Sequence, residues 1–535
     1  MLYDQDQHSK RGLTIMGKKT ANLSFHTKKY LQYCYLISLL TLFPLLEHDG
    51  YYDILDVKAR YFYISTTVFL FLLLVILILS LLKRDKKSDI LSPLKDNIPV
   101  LCLMGSLSIS FFLSPDLYSS FWGTNSRYTG FYVLFLSCVL FIIYSRSERM
   151  PFYFFSFPYL TACFIEIIAW FNHLGYNPGL LCSTFLDSGS QFISTIGQKN
   201  CFAAYTSMLL SLCLPLSVFS SHKFRIFCYI LSFLCFLGIF SASSDSGFLA
   251  AGMIFLLTLW FSMISLPAFR RWAFLLFLFG CANAMNVLFV SLRYYNAWDP
   301  EGISALLYTH DRVSLFLFVL LPLLLAGPYS LIMSRCSQKK LLILRNITFI
   351  IIAFAVLLSI TLCVILPSIY TYKEAKSIFG RFTKYIYFRE KWGTNRGLIW
   401  TCTVRAFNGM PFCRKLIGIG PGMFRTAVER YDRSMLYNSL DRYLLDAHSQ
   451  YLQYLITAGI LGLSSYLFFF IYLFCRFSKY RSAKPLISVC GMSFIAAFLV
   501  QAMINNIHIY IEPVAFTILG CLFALADRGK KEIGF

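Results

Sequence analysis

Residues 61–82 read YFYISTTVFLFLLLVILILSLL, a run of 22 positions without a charged side chain. A helix rises 1.5 Å per residue, so this run spans the ~30 Å hydrocarbon layer of a bilayer. Backbone in lipid must pair its own N–H and C=O groups, which leaves helices or closed barrels. The run is too long and too continuous for a barrel strand. Similar runs recur near 30–46, 98–114, 128–145, 152–172, 199–219, 226–243, 247–266, 272–290, 313–334, 347–367, 449–475, 486–507 and 513–526. The chain has 535 residues, 57% of them hydrophobic and only 14% charged. A soluble protein would carry roughly a quarter charged residues. The sequence therefore predicts an all-α fold: a polytopic transmembrane bundle of about 14 spans.

Charge sets the expected orientation. Lys83 and Arg84, Arg146 and Arg149, Lys223 and Arg225, Arg270 and Arg271, Lys339 and Lys340, and Lys479 and Arg481 fall in alternate connections. By the positive-inside rule these connections are cytoplasmic. The expected organisation is a cytoplasmic segment over 1–29, transmembrane helices 1–11 over 30–367, an extracytoplasmic loop over 368–448, helices 12–14 over 449–526, and a cytoplasmic tail over 527–535. The first span is expected to act as an uncleaved anchor. A net charge of +22 in a soluble domain would point to nucleic acid. Here much of it lies in short loops, and no nucleic-acid partner is expected.

The large loop does not fit that charge rule. It holds 14 Lys and Arg against 6 Asp and Glu on the outward side. Long loops translocate regardless of charge, so the topology stands, but an anionic ligand is the simplest reason for the excess. Lys373, Lys376, Arg381, Lys384, Arg389 and Lys391 alternate with aromatic residues over 374–392, the pattern of an amphipathic segment on a membrane surface. A glycine turn follows at Gly418, Gly420 and Gly422. Such turns allow positive φ and, in some proteins, cradle phosphate. The loop ends at Asp446-Ala447-His448, which places His448 at the expected first turn of a helix, where outward N–H groups favour anions. The 17 cysteines show no metal-ligand spacing. Cys402 and Cys413 share the loop, so a disulfide between them is one option. Neither a metal nor another cofactor is expected.

Taken together, Arg396, Trp400, Pro411, Gly418-Ile419-Gly420 with Phe424, and Ala447-His448 with Tyr451, Leu452 and Gly459 resemble the signature region of the O-antigen ligase and O-antigen polymerase family. The likeness is close over about seventy residues. Upstream it is looser. Gly197 to Asn200 resembles the family's entry to a span, and Gly123, Arg127 and Gly130 resemble its external arginine turn. Ser243–Gly247 occupies a place where members often carry Ser-Arg-Gly. Here that position is Asp245, and Arg312 or Arg293 could replace the missing arginine.

The resemblance implies an enzyme that takes a glycan from a polyprenyl diphosphate carrier at the outer face of the inner membrane. The glycan passes to an acceptor hydroxyl on a lipid-anchored core, another glycan or a protein. On this reading the partners are a lipid-linked glycan donor, a glycan or lipid-anchored acceptor, and the membrane. The catalytic candidates are His448 and Arg396. The candidates for holding diphosphate or glycan are Arg127, Arg312, Arg381, Asn200, Trp400, Gly418 and Gly420. His448 is either a general base or a donor to phosphate, and an imidazole permits both. A lipid-glycan flippase is the alternative, since many spans suit a transporter. That reading needs ionisable groups within the spans, such as Glu166, and the spans are poor in them.

Overall fold

The computed structural model describes residues 26–82, 96–123, 128–148, 151–177, 192–292, 301–308, 312–393, 395–432, 446–506 and 509–527. The apolar runs are helices. The principal ones are α1 (Ile54–Leu82), α2 (Ile98–Phe112), α3 (Phe131–Tyr144), α4 (Ser156–His173), α5 (Lys199–Phe219), α6 (His222–Ala242), α7 (Asp245–Ser262) and α8 (Leu266–Ser291). They continue with α9 (Arg312–Arg335), α10 (Gln338–Ile369), α11 (Arg396–Gly409), α12 (Phe424–Tyr431), α13 (Gln450–Thr457), α14 (Gly459–Lys479), α15 (Pro485–Ile504) and α16 (Glu512–Asp527). Among the described residues the only sheet is a two-stranded pairing of Phe192–Ile193 with Gly197–Gln198. Among the described residues eight helices, α1, α5–α8, α10, α14 and α15, are long and apolar enough to cross a membrane. This is an all-α membrane architecture.

Two apolar cores hold the bundle together. One joins α1–α3 to α14–α16 through Phe62, Phe141, Tyr466, Phe469, Phe470 and Phe516. The other joins α4–α8 through Phe236, Phe240, Ile254 and Leu275. Large aromatic side chains suit these seams, because in lipid the helices associate by close packing rather than by exclusion of water. Helices α5, α7 and α15 pack against one another where the two cores meet.

The described residues of the polar segment after α10 form a cap. It has a small apolar core of its own in Ile399, Cys402, Ala406, Met423, Phe424, Ala427 and Ile456. Its basic stretch folds as short helices, Tyr372–Phe379 and Thr383–Ile386, with a 3-10 turn Gly380–Phe382 between them. Thr371 and Glu374 form a capping box at the start. This agrees with the amphipathic segment expected over 374–392.

One expected span differs. The run 449–475 is two helices, with a break at Ala458 between α13 and α14. Gly459 carries a φ of +71°, which glycine adopts at little steric cost. The glycine turn of the cap is wedged into this break. Ile419 N–H donates to Ile456 C=O at 3.3 Å, and Gly420 N–H donates to Thr457 C=O at 2.9 Å. A Cβ on Gly418 would lie 2.2 Å from the Thr457 carbonyl, and one on Gly459 would lie 2.3 Å from the Leu416 carbonyl. Apolar periodicity alone cannot register a break whose cause is a partner 40 residues away.

Candidate active site

The first residue of α11 is Arg396. Its half-buried guanidinium donates through Nη1 to the Gly393 carbonyl at 3.1 Å and through Nη2 to Asn505 Oδ1 at 2.8 Å. Among the described residues it takes part in no ion pair, and its Nε has no hydrogen-bond partner. Burial pushes its pKa down, while the charges of Asp245 and Asp446 oppose that. Arginine stays cationic regardless. Arg396 therefore carries a net positive charge between two helix ends, held by neutral acceptors.

Asn505 caps the C-terminal end of α15. Arginine has no acceptor, so the amide oxygen must face Arg396 and the amide nitrogen must face away. That nitrogen donates to Ser246 Oγ at 2.7 Å. Ser246 lies 2.9 Å from Ser244 Oγ, and Ser244 donates to Asn200 Oδ1 at 2.8 Å. Each donor has a proton to give, so the chain runs in one direction, from Arg396 through Asn505, Ser246 and Ser244 to Asn200. It ties together the starts of α5, α7 and α11 and the end of α15.

Asp245, the residue at the place of the family's arginine, has a different task. Its Oδ1 accepts from Ile303 N–H at 2.6 Å and anchors the short helix Gly302–Leu307. Gly302 makes room for it, since a Cβ there would lie 2.1 Å from that oxygen. Lys199 pairs with Glu301 at 2.8 Å beside the same helix start.

His448 stands just ahead of α13, which begins at Gln450, and not within its first turn as expected. Its φ of +46° is left-handed, a conformation uncommon for a side chain with a Cβ. The turn is held by Asp446, whose Oδ1 accepts from His448 N–H at 2.9 Å and lies 3.3 Å from Nδ1. Nδ1 thus faces the Asp446 carboxylate, which orients the ring. The imidazole is about a third exposed and Asp446 is buried.

Residues 302–467 match the family model for O-antigen ligase. This segment is similar to the O-antigen ligase family. No curated protein matches the chain.

The matched segment contains Arg396, Trp400, Gly418, Gly420 and His448. Trp400 lies tilted against Trp392 with ring centroids 5.3 Å apart, and its Nε1 is buried without a partner among the described residues. Gly418 and Gly420 use their N–H groups on Arg414 and Thr457, so in this structure the turn is a packing device rather than an open phosphate cradle. Cys402 and Cys413 are both free, and the disulfide option falls: Cys402 is buried and Cys413 exposed. Arg127 and Arg293 lie outside the described residues. Arg312 begins α9 and Arg381 sits in the 3-10 turn, with side chains that also lie outside them.

Sequence reasoning missed Asn505 and Asn506. Two adjacent asparagines closing an apolar run were a visible signal, because an unpaired amide at the end of a span is costly. Both amide atoms of buried Asn506 lack partners among the described residues. Asn506 lines a narrow cleft with Thr129, Gly422, Gln450, Gln453 and Thr457. The lining is uncharged and mixes these amides and hydroxyls with the apolar side chains of Leu107 and Leu134.

Proposed function

We propose that the protein is a membrane glycan transferase of the O-antigen ligase type. It moves an oligo- or polysaccharide from a polyprenyl diphosphate carrier to an acceptor hydroxyl at the outer face of the inner membrane. The observation that carries this reading is Arg396. A half-buried cation without an ion-pair partner among the described residues is expensive unless an anion arrives. The matched ligase domain supports a glycan transferase in general, and the basic cap supports an anionic, lipid-held donor. The fourteen crossings and the outward cap follow from run length and from the positive-inside pattern.

In the reaction, the acceptor hydroxyl attacks the anomeric carbon. The C–O bond to the diphosphate breaks, and polyprenyl diphosphate leaves with the electron pair. Negative charge grows on the leaving group, and a fixed guanidinium aimed there lowers the barrier. Arg396 fills that role, with Arg127 and Arg312 as further contacts expected from the sequence. His448, set beside Asp446, takes the acceptor's proton. Direct displacement inverts the anomeric centre.

The test is genetic. Arg396→Ala and His448→Ala should insert normally and accumulate polyprenyl-linked glycan. Full transfer in both variants removes these residues from the mechanism. Deleting the gene separates the two family activities. A single repeat unit on its final anchor means a polymerase, and polymer left on its carrier means a ligase.

A further inference from the structure

Asn505 lies outside the matched ligase domain and outside every motif in the sequence. It is nevertheless the side chain that touches the Arg396 guanidinium. We infer that Asn505 is a positioning residue: it aims Arg396 at the donor's diphosphate while leaving the guanidinium charge uncancelled, and Ser246 is the next link that fixes it. This inference rests on the reading of Arg396 as the diphosphate contact.

The choice of amide over carboxylate is the core of the argument. Some arginines here are anchored by acids, Arg425 on Glu429 at 2.5 Å and Arg476 on Asp527 at 2.8 Å, whereas Arg271 and Arg414 donate to the backbone carbonyls of Val218 and Leu113. A carboxylate at position 505 would hold the guanidinium more firmly, because charge-assisted hydrogen bonds are about twice as strong as neutral ones. It would also neutralise the group and compete with an incoming anion. The two carboxylates that act on Arg396 are held elsewhere, Asp245 on Ile303 N–H and Asp446 on His448 N–H. Asn505 is only 5% exposed, and its amide nitrogen is engaged by Ser246 and by Gln501 at 3.2 Å. Its oxygen is therefore locked toward Arg396. The same chain ends on Asn200, which makes Asn200 a support of this network.

The measurement is binding of inorganic pyrophosphate to the purified full-length protein in lipid nanodiscs, at fixed ionic strength. Thermal melts of each variant run alongside. Asn505→Asp keeps an acceptor for Arg396, so a purely structural role predicts wild-type binding or better. The positioning role predicts a melting temperature within about 2 °C of wild type and affinity reduced about tenfold or more, because an adjacent carboxylate cancels the cation. Wild-type affinity in Asn505→Asp alongside loss of binding in Arg396→Gln overturns the inference and leaves the function standing. Wild-type affinity in Arg396→Gln overturns both. If Asn505→Asp does not fold, Ser246→Ala decides: about a threefold loss supports the network, and no loss overturns it.

Discussion

Arg396 and Asn505 lie 109 positions apart and meet at 2.8 Å, where a cation at the start of one helix is held by a neutral amide at the end of another. This contact joins the cap to the membrane bundle. It also explains why the positive charge survives in a half-buried place.

The guanidinium's shape should matter as well as its charge. Arg396→Lys keeps a cation but cannot reach the Gly393 carbonyl and Asn505 as a planar fork. We expect transfer to fall about 10- to 100-fold, matching the loss of one charged hydrogen bond worth about 1.5–3 kcal/mol. Initial rates on lipid-linked donor check this. Wild-type rates in the lysine variant would mean that charge alone suffices.

The backbone at His448 offers a test that separates chemistry from folding. Its φ of +46° costs a non-glycine residue roughly 1–2 kcal/mol. His448→Gly should therefore melt at or above the wild-type temperature while losing transfer. A variant that transfers normally would leave the imidazole without a role.

Much of the bundle was legible because the physics of lipid is local. A run of 22 uncharged residues has few ways to satisfy its backbone. Arg396 and His448 stand out as candidates in the sequence because a long basic loop between apolar runs is unusual, and the spacing of Arg396, Gly418 and His448 resembles a known signature. Asn505 does not, since its role exists only once α11 and α15 meet. The helix break at Gly459 stayed hidden for the same reason: Leu416 and Gly418 create it from the cap.

That break gives a stability prediction. Gly418→Ala places a methyl 2.2 Å from the Thr457 carbonyl at a φ of +78°. The strain should cost about 1–3 kcal/mol and separate the cap from the α13–α14 junction. A lower melting temperature and a lower folded yield would show it. An unchanged melt would mean that the turn is not a wedge.

Cysteine labelling reads out the orientation of the cap. Burial pushes the Cys402 thiol up to about 11, with Asp432 adding to the shift, whereas Cys413 is exposed. In single-cysteine variants, a membrane-impermeant maleimide added outside the cell should label Cys413 and spare Cys402. Labelling of Cys413 only after permeabilisation would place the cap on the cytoplasmic side.

The most direct test is equilibrium binding of undecaprenyl diphosphate to nanodisc-embedded wild type and Arg396→Gln. The lipid diphosphate should bind wild type at least about tenfold more tightly than the variant, with a steep salt dependence in wild type only. Equal affinity and equal salt dependence would contradict the claim that Arg396 holds the diphosphate.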